Sequence, residues 1–132
     1  MEGNVTCLLI DDDADDQELF QYALKQVFPD VNCTFASSGP EAVNILKDDH
    51  YAIPDYIFMD WHMPYMDANE CIPLLRNAAE LEETSIFILS GIEPLITQET
   101  INDLGIKRIL KKQPSIESLS DELFKAIKEA GQ

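Results

Sequence analysis

Acidic side chains follow two apolar segments of this sequence. Asp11 and Asp12 come directly after the run Val5–Ile10, and Asp60 follows the run Tyr56–Met59. If the two runs are neighbouring strands of one parallel sheet, these carboxylates lie at the same edge of it. Carboxylates about 4 Å apart repel by roughly 4 kcal/mol at an effective dielectric constant near 20, so the cluster needs a cation or a shared proton. Oxygen ligands at an open, partly hydrated site favour Mg²⁺.

The acidic run has a structural interpretation as well. Asp13, Asp15 and Asp16 precede a segment with helical periodicity, and carboxylates there stabilise the N-terminus of a helix through its dipole. We assign those three residues to the helix. Asp11 and Asp12 belong to the end of the strand, and for them we prefer the metal role.

Two further polar residues end later apolar runs. Ser90 follows Ser85–Leu89, and Lys112 lies just beyond Arg108–Leu110. Alone, a serine before glycine indicates a turn, and a single lysine indicates solvated surface. Combined with the carboxylates, a hydroxyl and an ammonium group could stabilise the three equatorial oxygens of a phosphoryl group attached to an aspartate. Aspartate can serve as the nucleophile in such a transfer.

The segments around these residues alternate between strand and helix patterns. Five short apolar runs have the composition of buried strands in a parallel sheet: Val5–Ile10, Val31–Ala36, Tyr56–Met59, Ser85–Leu89 and Arg108–Leu110. Segments with helical periodicity follow them, and such alternation requires a parallel sheet covered on both faces. The sequence therefore predicts one α/β domain over residues 1–132, a doubly wound five-stranded parallel sheet with helices on both faces.

Turn and capping residues predict the ends of the later helices. Pro94 can begin the fourth helix, and Gly105 can end it in a left-handed turn. Ser115 or Ser118 is expected to cap the last helix.

Charge and composition argue against several classes of protein. Of 132 residues, 25 are acidic and 9 basic, and the net charge of −16 repels phosphate backbones and anionic lipid surfaces. We therefore expect no direct binding to nucleic acid. No apolar run approaches the about 18 residues that a membrane span needs, and the N-terminus lacks the pattern of a signal peptide. A cytoplasmic protein without membrane insertion is expected.

The cysteines are interpreted as core residues. Cys7, Cys33 and Cys71 are odd in number, widely spaced and set among apolar neighbours. This pattern suits small buried thiols better than a disulfide framework or a zinc site.

Four segments resemble the signature blocks of response-regulator receiver domains, in the order and at the spacing of that family. They are Leu8–Asp13, Asp60–Asp67, Leu89–Gly91 and Lys111–Lys112. The resemblance spans nearly the whole chain. It implies a flavodoxin-like strand order of 2-1-3-4-5, and a stand-alone regulator similar to the single-domain regulators of chemotaxis.

The resemblance also implies the metal site. Asp60 is the phosphoacceptor, Asp12 binds Mg²⁺ directly, and Asp11 helps to hold the ion through water. The backbone carbonyl of His62 completes the protein's share of the metal ligands. The imidazole of His62 is expected to face solvent.

The remaining implied roles concern signalling. Ser90 is the hydroxyl that follows the phosphoryl group, and Lys112 is its ion-pair partner, which pairs with Asp60 before phosphorylation. A sensor histidine kinase or a histidine phosphotransfer protein supplies the phosphoryl group. The chain then signals by binding a downstream protein target, and it is expected not to act as an enzyme.

Three positions depart from the family pattern. Ala68 stands where glycine is usual, which leaves the direction of the loop after the third strand open. Gln113 stands where proline is usual, and a cis bond before a non-proline residue costs about 3 kcal/mol, so the geometry of the Lys112–Gln113 bond is open too. Ile109 replaces an aromatic residue, which puts signalling by ring rotation in question.

The basic residues of the segment Lys107–Lys112 have two interpretations. In the implied strand order the fifth strand is an edge, where lysines prevent unwanted pairing with other strands. They could also form a docking face for an acidic partner. The sequence favours the edge interpretation without excluding the docking face.

Other functions fit the residues less well. A haloacid-dehalogenase-like phosphatase would use Asp11 as its nucleophile, but that family needs a cap or insert and a later acidic pair, whereas this chain is short and has no acidic pair at the end of its fourth strand. An EF-hand would need glycine at Asp16 and glutamate at Tyr22. A receiver-like scaffold that is never phosphorylated is a third alternative, against which stands the presence of every reactive residue.

Overall fold

The computed structural model describes residues 5–63, 66–91 and 96–130, and within them five strands alternate with five helices. The strands are β1 (Thr6–Ile10), β2 (Asn32–Ala36), β3 (Tyr56–Asp60), β4 (Ser85–Ser90) and β5 (Ile106–Lys111). The helices are α1 (Ala14–Val27), α2 (Gly39–Lys47), α3 (Ala68–Ala78), α4 (Gln98–Leu104) and α5 (Ile116–Ala130). None of these helices, as far as the chain is described, is long and apolar enough to cross a bilayer.

The strands form one parallel sheet in the order β2-β1-β3-β4-β5. This order confirms the doubly wound, flavodoxin-like architecture that the sequence predicts. Ile10 of β1 lies opposite Met59 of β3, and Asp60 lies opposite Leu89 of β4. The residues that follow β1, β3 and β4 therefore emerge side by side at the carboxyl edge of the sheet.

Side chains alternate between two cores, one on each face of the sheet. Along β1, Leu8 and Ile10 pack with residues of α2 and α3, whereas Cys7 and Leu9 pack with residues of α1 and α5. Because residues 7–10 of β1 are buried on both faces of the sheet, they are all apolar. Phe58 of β3 lies in the second core, and its ring centroid is 5.0 Å from those of Phe20 and Phe87. This packing fixes β3 immediately before Asp60.

The ends of the helices follow local side-chain chemistry. Gly105 ends α4 with φ 73°, as predicted, and a Cβ there would lie 2.5 Å from Nη2 of Arg76. That guanidinium donates to the carbonyls of Leu104 and Gly105 at 3.1 and 3.4 Å, which joins α3 to the end of α4. The predicted helix start at Pro94 lies outside the described residues, and the described part of α4 begins after its N-cap, Thr97.

Ser115, rather than Ser118, caps the last helix. The hydroxyl of Ser115 accepts a hydrogen bond from the backbone N–H of Ser118 at 3.1 Å, and its carbonyl accepts from Leu119 at 3.0 Å. Both bonds satisfy groups of the first helical turn.

The cysteines are free thiols, and Cys7 and Cys71 are fully buried. Burial raises the pKa of Cys7 far above its usual value, that of Cys33 to about 12 and that of Cys71 to about 11. Thiolates are therefore disfavoured at neutral pH. The interpretation as core residues is confirmed for Cys7 and Cys71, whereas Cys33 is partly buried and packs against the core.

Candidate functional site

Three carboxylates meet at the carboxyl edge of the sheet. Asp60 ends β3, and Asp11 and Asp12 follow β1. One oxygen atom from each carboxylate lies within 4.8 Å of the others. Asp11 is buried, Asp60 is partly buried and Asp12 is exposed, so the cluster opens to solvent on one side. Three oxygen ligands with room for water suit a partly hydrated Mg²⁺.

Two hydrogen bonds fix the orientation of Asp11. The Asp13 amide donates to its Oδ1 at 3.0 Å, and Nε2 of Gln17 donates to its carbonyl at 2.6 Å. Burial raises the pKa of Asp11 to about 6, although the Asp13 amide and the Lys112 ammonium act in the opposite direction. The carboxylate form of this side chain therefore depends on nearby positive charge.

The ammonium of Lys112 lies among three carboxylates. Its Nζ is 2.7 Å from Oδ2 of Asp16, 3.0 Å from Oδ2 of Asp60 and 3.3 Å from Oδ2 of Asp11. Burial alone would lower the pKa of Lys112, but the hydrogen bonds to Asp16 and Asp60 outweigh it and raise the pKa above its usual value. Lys112 therefore remains a cation, and it makes the contact with Asp60 that the sequence led us to expect.

Adjacent strands bring Ser90 and Lys112 to the same edge as the carboxylates. Ser90 ends β4, is 2% exposed and lies opposite Lys111 of β5. The backbone N–H of Lys112 donates to the carbonyl of Ser90 at 2.8 Å. No peptide bond in the described ranges is cis, so the bond between Lys112 and Gln113 is trans. A trans bond is therefore compatible with a lysine that points into the site.

Residues close to the end of β3 contact the Asp60 carboxylate and position the start of α3. The His62 amide donates to Oδ1 of Asp60 at 3.2 Å, while the side chain of His62 is exposed, as expected. Ala68 is the first residue of α3, and its amide donates to the carbonyl of Trp61 at 3.3 Å. A helical position does not require glycine, so alanine is accommodated there. The role of the His62 carbonyl as a metal ligand stays a prediction.

Asp16 belongs to the site, which the sequence interpretation missed. We assigned it to the helix dipole, and it does lie in the first turn of α1. Its carboxylate, however, makes the shortest contact with Lys112. Helical spacing could have signalled this, because Asp16 lies four residues before Phe20 and seven before Ala23, on the buried stripe of α1.

The basic residues of β5 lie at an edge of the sheet, as predicted. Lys107 and Lys111 are exposed, and Arg108 forms an ion pair with Glu129 of α5 at 2.6 Å. Ile109 is only partly buried against the core. The location fits the edge interpretation, and the docking interpretation stays a prediction.

A known protein family matches most of this chain. The family model described as the response regulator receiver domain matches residues 7–124. Among curated protein sequences, none matches significantly.

Several solved structures share this fold. The chemotaxis response regulator CheY4 of Vibrio cholerae has a TM-score of 0.77 and 21% identity, covering 94% of this chain and 99% of that chain. The phosphorylated cyanobacterial phytochrome response regulator RcpA has a TM-score of 0.78 and 22% identity, with 96% and 93% covered. The response regulator domain of Thermotoga maritima CheB has a TM-score of 0.76 and 23% identity, with 97% and 96% covered.

Proposed function

This chain belongs to the response regulator receiver domain family. We propose from its site that it is a receiver domain of a two-component phosphorelay, which accepts a phosphoryl group on Asp60. The observation that carries the proposal is the position of Asp60. Its Oδ2 faces the Lys112 ammonium at 3.0 Å, and its carboxylate clusters with those of Asp11 and Asp12.

The proposed metal site uses side chains and backbone from the end of β3 and from the loops after β1 and β3. Asp11, Asp12, Asp60 and the carbonyl of His62 would hold Mg²⁺. When bound, the ion would neutralise negative charge on the transferred phosphoryl group. The donor set supports this assignment, because all of its atoms are oxygens. Asp11 is buried whereas Asp12 is exposed, so the ion could keep some of its water ligands.

The transfer itself uses groups of this chain. A carboxylate oxygen of Asp60 attacks the phosphorus of a phosphohistidine, the new O–P bond forms as the P–N bond breaks, and the histidine nitrogen leaves with the electron pair. The Lys112 ammonium stabilises the equatorial oxygens, and the Ser90 hydroxyl donates to one of them. The amide of His62 holds the acceptor in position through its bond to Oδ1 of Asp60.

Partners follow from this chemistry. A sensor histidine kinase or a histidine phosphotransfer protein would donate the phosphoryl group, and a downstream protein target would read the phosphorylated form. Family membership supports both kinds of partner. We propose a cytoplasmic location, where such kinases present their phosphohistidine.

The phosphatase alternative is less well supported by the site. As a nucleophile, Asp11 would have to be accessible, but it is 1% exposed, and its carboxylate is engaged by the Asp13 amide and Lys112. Asp60 is less buried. Asp60 is therefore the better candidate for attack on an incoming phosphoryl group.

Labelling with a small phosphodonor tests the proposed function. We expect the wild-type chain to gain the mass of one phosphoryl group when incubated with acetyl phosphate and Mg²⁺. Chelation of the metal should prevent the gain, because the acidic cluster then repels the donor. Intact-mass spectrometry gives the readout. A chain that binds Mg²⁺ but never acquires the phosphoryl mass would favour the scaffold alternative.

The affinity for Mg²⁺ should fall as the pH drops below about 6. The pKa of Asp11 is raised to about 6, so below that pH the side chain must lose a proton before its charge can hold the ion. We expect binding about tenfold weaker at pH 5 than at pH 7, and little change above pH 7. The fluorescence of Trp61, the only tryptophan, can report the titration.

The control for this pH dependence is Asp11→Asn, which should bind Mg²⁺ weakly and lose the dependence near pH 6. An affinity that increases as the pH falls, or an unchanged pH profile in the variant, would contradict the assignment to Asp11.

A further inference from the structure

Asp16 makes a contact that the proposed phosphoryl transfer does not require. Its carboxylate is 2.7 Å from Nζ of Lys112, closer than Asp60 or Asp11. Within the described ranges, the cluster of carboxylates that could hold a metal consists of Asp11, Asp12 and Asp60, and Asp16 does not belong to it. The Lys112 ammonium has three N–H donors, and three carboxylates surround it. Asp16 therefore occupies a donor that a phosphoryl group on Asp60 could otherwise use.

We propose that Asp16 is a positioning residue that opposes the phosphorylated state by competing with the phosphoryl group for the Lys112 ammonium. This inference rests on the proposed function of Asp60. It assigns to Asp16 a role in setting how much of the protein is phosphorylated, beyond its place at the start of α1.

The backbone of Asp16 is held in the first turn of α1, which limits how far its carboxylate can follow the lysine. Its backbone N–H is bound to Oδ1 of Asp13, the N-cap, at 3.2 Å, and it lies on the stripe of α1 that faces the core. If Lys112 turns toward a phosphoryl group, the distance to Asp16 must increase. The phosphorylated state therefore weakens an ion pair that the unphosphorylated state retains.

A second effect of Asp16 also disfavours the phosphorylated state of Asp60. Its negative charge lies beside the lysine that faces Asp60, so it repels the additional negative charge of a phosphoryl group there. The opposite possibility is that Asp16 helps phosphorylation by orienting Lys112. That contribution is small, because Asp60 and Asp11 also hold the ammonium. Competition and repulsion together outweigh the loss of orientation.

Beryllofluoride binding in saturating Mg²⁺, followed by Trp61 fluorescence, tests the inference, since this anion mimics the phosphoryl group. We expect Asp16→Asn to bind beryllofluoride about fivefold more tightly than wild type. The matched control is Asp15→Asn, which removes the same charge from the same helical turn. Asp15 is exposed, and its carboxylate makes no ion pair within the described residues. The affinity of the Asp15→Asn variant for beryllofluoride should stay within about twofold of wild type.

A double-mutant cycle tests whether Asp16 acts through Lys112. In a Lys112→Ala background, the effect of Asp16→Asn should shrink, because no ammonium remains to compete for and only the repulsion by the Asp16 charge is left. A merely structural role at the helix N-terminus would persist in that background. Persistence of the full effect, weaker binding by Asp16→Asn, or equal effects of the two asparagine variants would each overturn the inference.

Failure of the proposed function gives a different result. If wild type itself does not bind beryllofluoride in Mg²⁺, the role of Asp60 and this inference both fall. If wild type binds and Asp16→Asn is unchanged, only the inference about Asp16 falls.

Discussion

Asp60→Asn is expected to abolish incorporation of a phosphoryl group from acetyl phosphate. The amide is not a nucleophile comparable to a carboxylate, and it removes one of the three carboxylates of the metal cluster. It also removes the charge that pairs with Lys112 at 3.0 Å. Intact-mass spectrometry in Mg²⁺ should therefore show no adduct. The substitution is nearly isosteric, so the fold should persist.

A matched control for this variant is Asp67→Asn in the same loop. Asp67 caps α3, and asparagine caps helices about as well as aspartate, so labelling should remain as in wild type. A full phosphoryl adduct on Asp60→Asn would overturn the assignment of the acceptor. Turnover of phosphate esters that survives in Asp60→Asn but is lost in Asp11→Asn would instead support the phosphatase alternative.

Lys112→Ala should separate phosphorylation from its conformational effect. The variant should still accept some phosphoryl group, because the metal site and Asp60 are intact. It should lose most of the change in amide spectra that phosphorylation produces, because the loop after β5 no longer carries an ammonium that pairs with the new charge and is drawn inward by it. Amide chemical shifts with and without beryllofluoride provide the measurement.

The control for Lys112→Ala is Lys111→Ala, its neighbour on β5. Lys111 is exposed, and its side chain makes no ion pair within the described ranges, so this variant should respond as wild type does. A Lys112→Ala protein with wild-type spectral changes would show that the switch does not depend on this lysine. A loss of response in Lys111→Ala alone would move the role to that residue.

The fold could be predicted from the sequence because its signals are local and repeated. The apolar runs at β1 and β3 are typical of strands in a sheet buried on both faces. The carboxyl ends of neighbouring parallel strands lie at one edge of the sheet, so the sequence predicts that Asp11, Asp12 and Asp60 come together if β1 and β3 are neighbours. The end of α4 at Gly105 followed from backbone chemistry.

Other features depend on side-chain geometry that the sequence does not determine. An aspartate such as Asp16 is common in the first turn of any helix, so its residue type does not indicate a role in the site. Only the packing of α1 brings its carboxylate to Lys112. The choice of Ser115 over Ser118 as a cap depends on where the chain enters α5. The partial burial of Ile109 depends on how closely the neighbouring helices cover the edge strand. Each outcome is decided by contacts between residues far apart in the sequence.

The hydrogen bonds from Arg76 to Leu104 and Gly105 have a mechanical consequence. They attach the C-terminal end of α4 to α3, which itself begins beside the loop that follows Asp60. Because this end of α4 is held, we expect any displacement of the helix to increase with distance from Gly105. Gly105 would then act as the hinge, and Gln98, at the other end of α4, would move furthest.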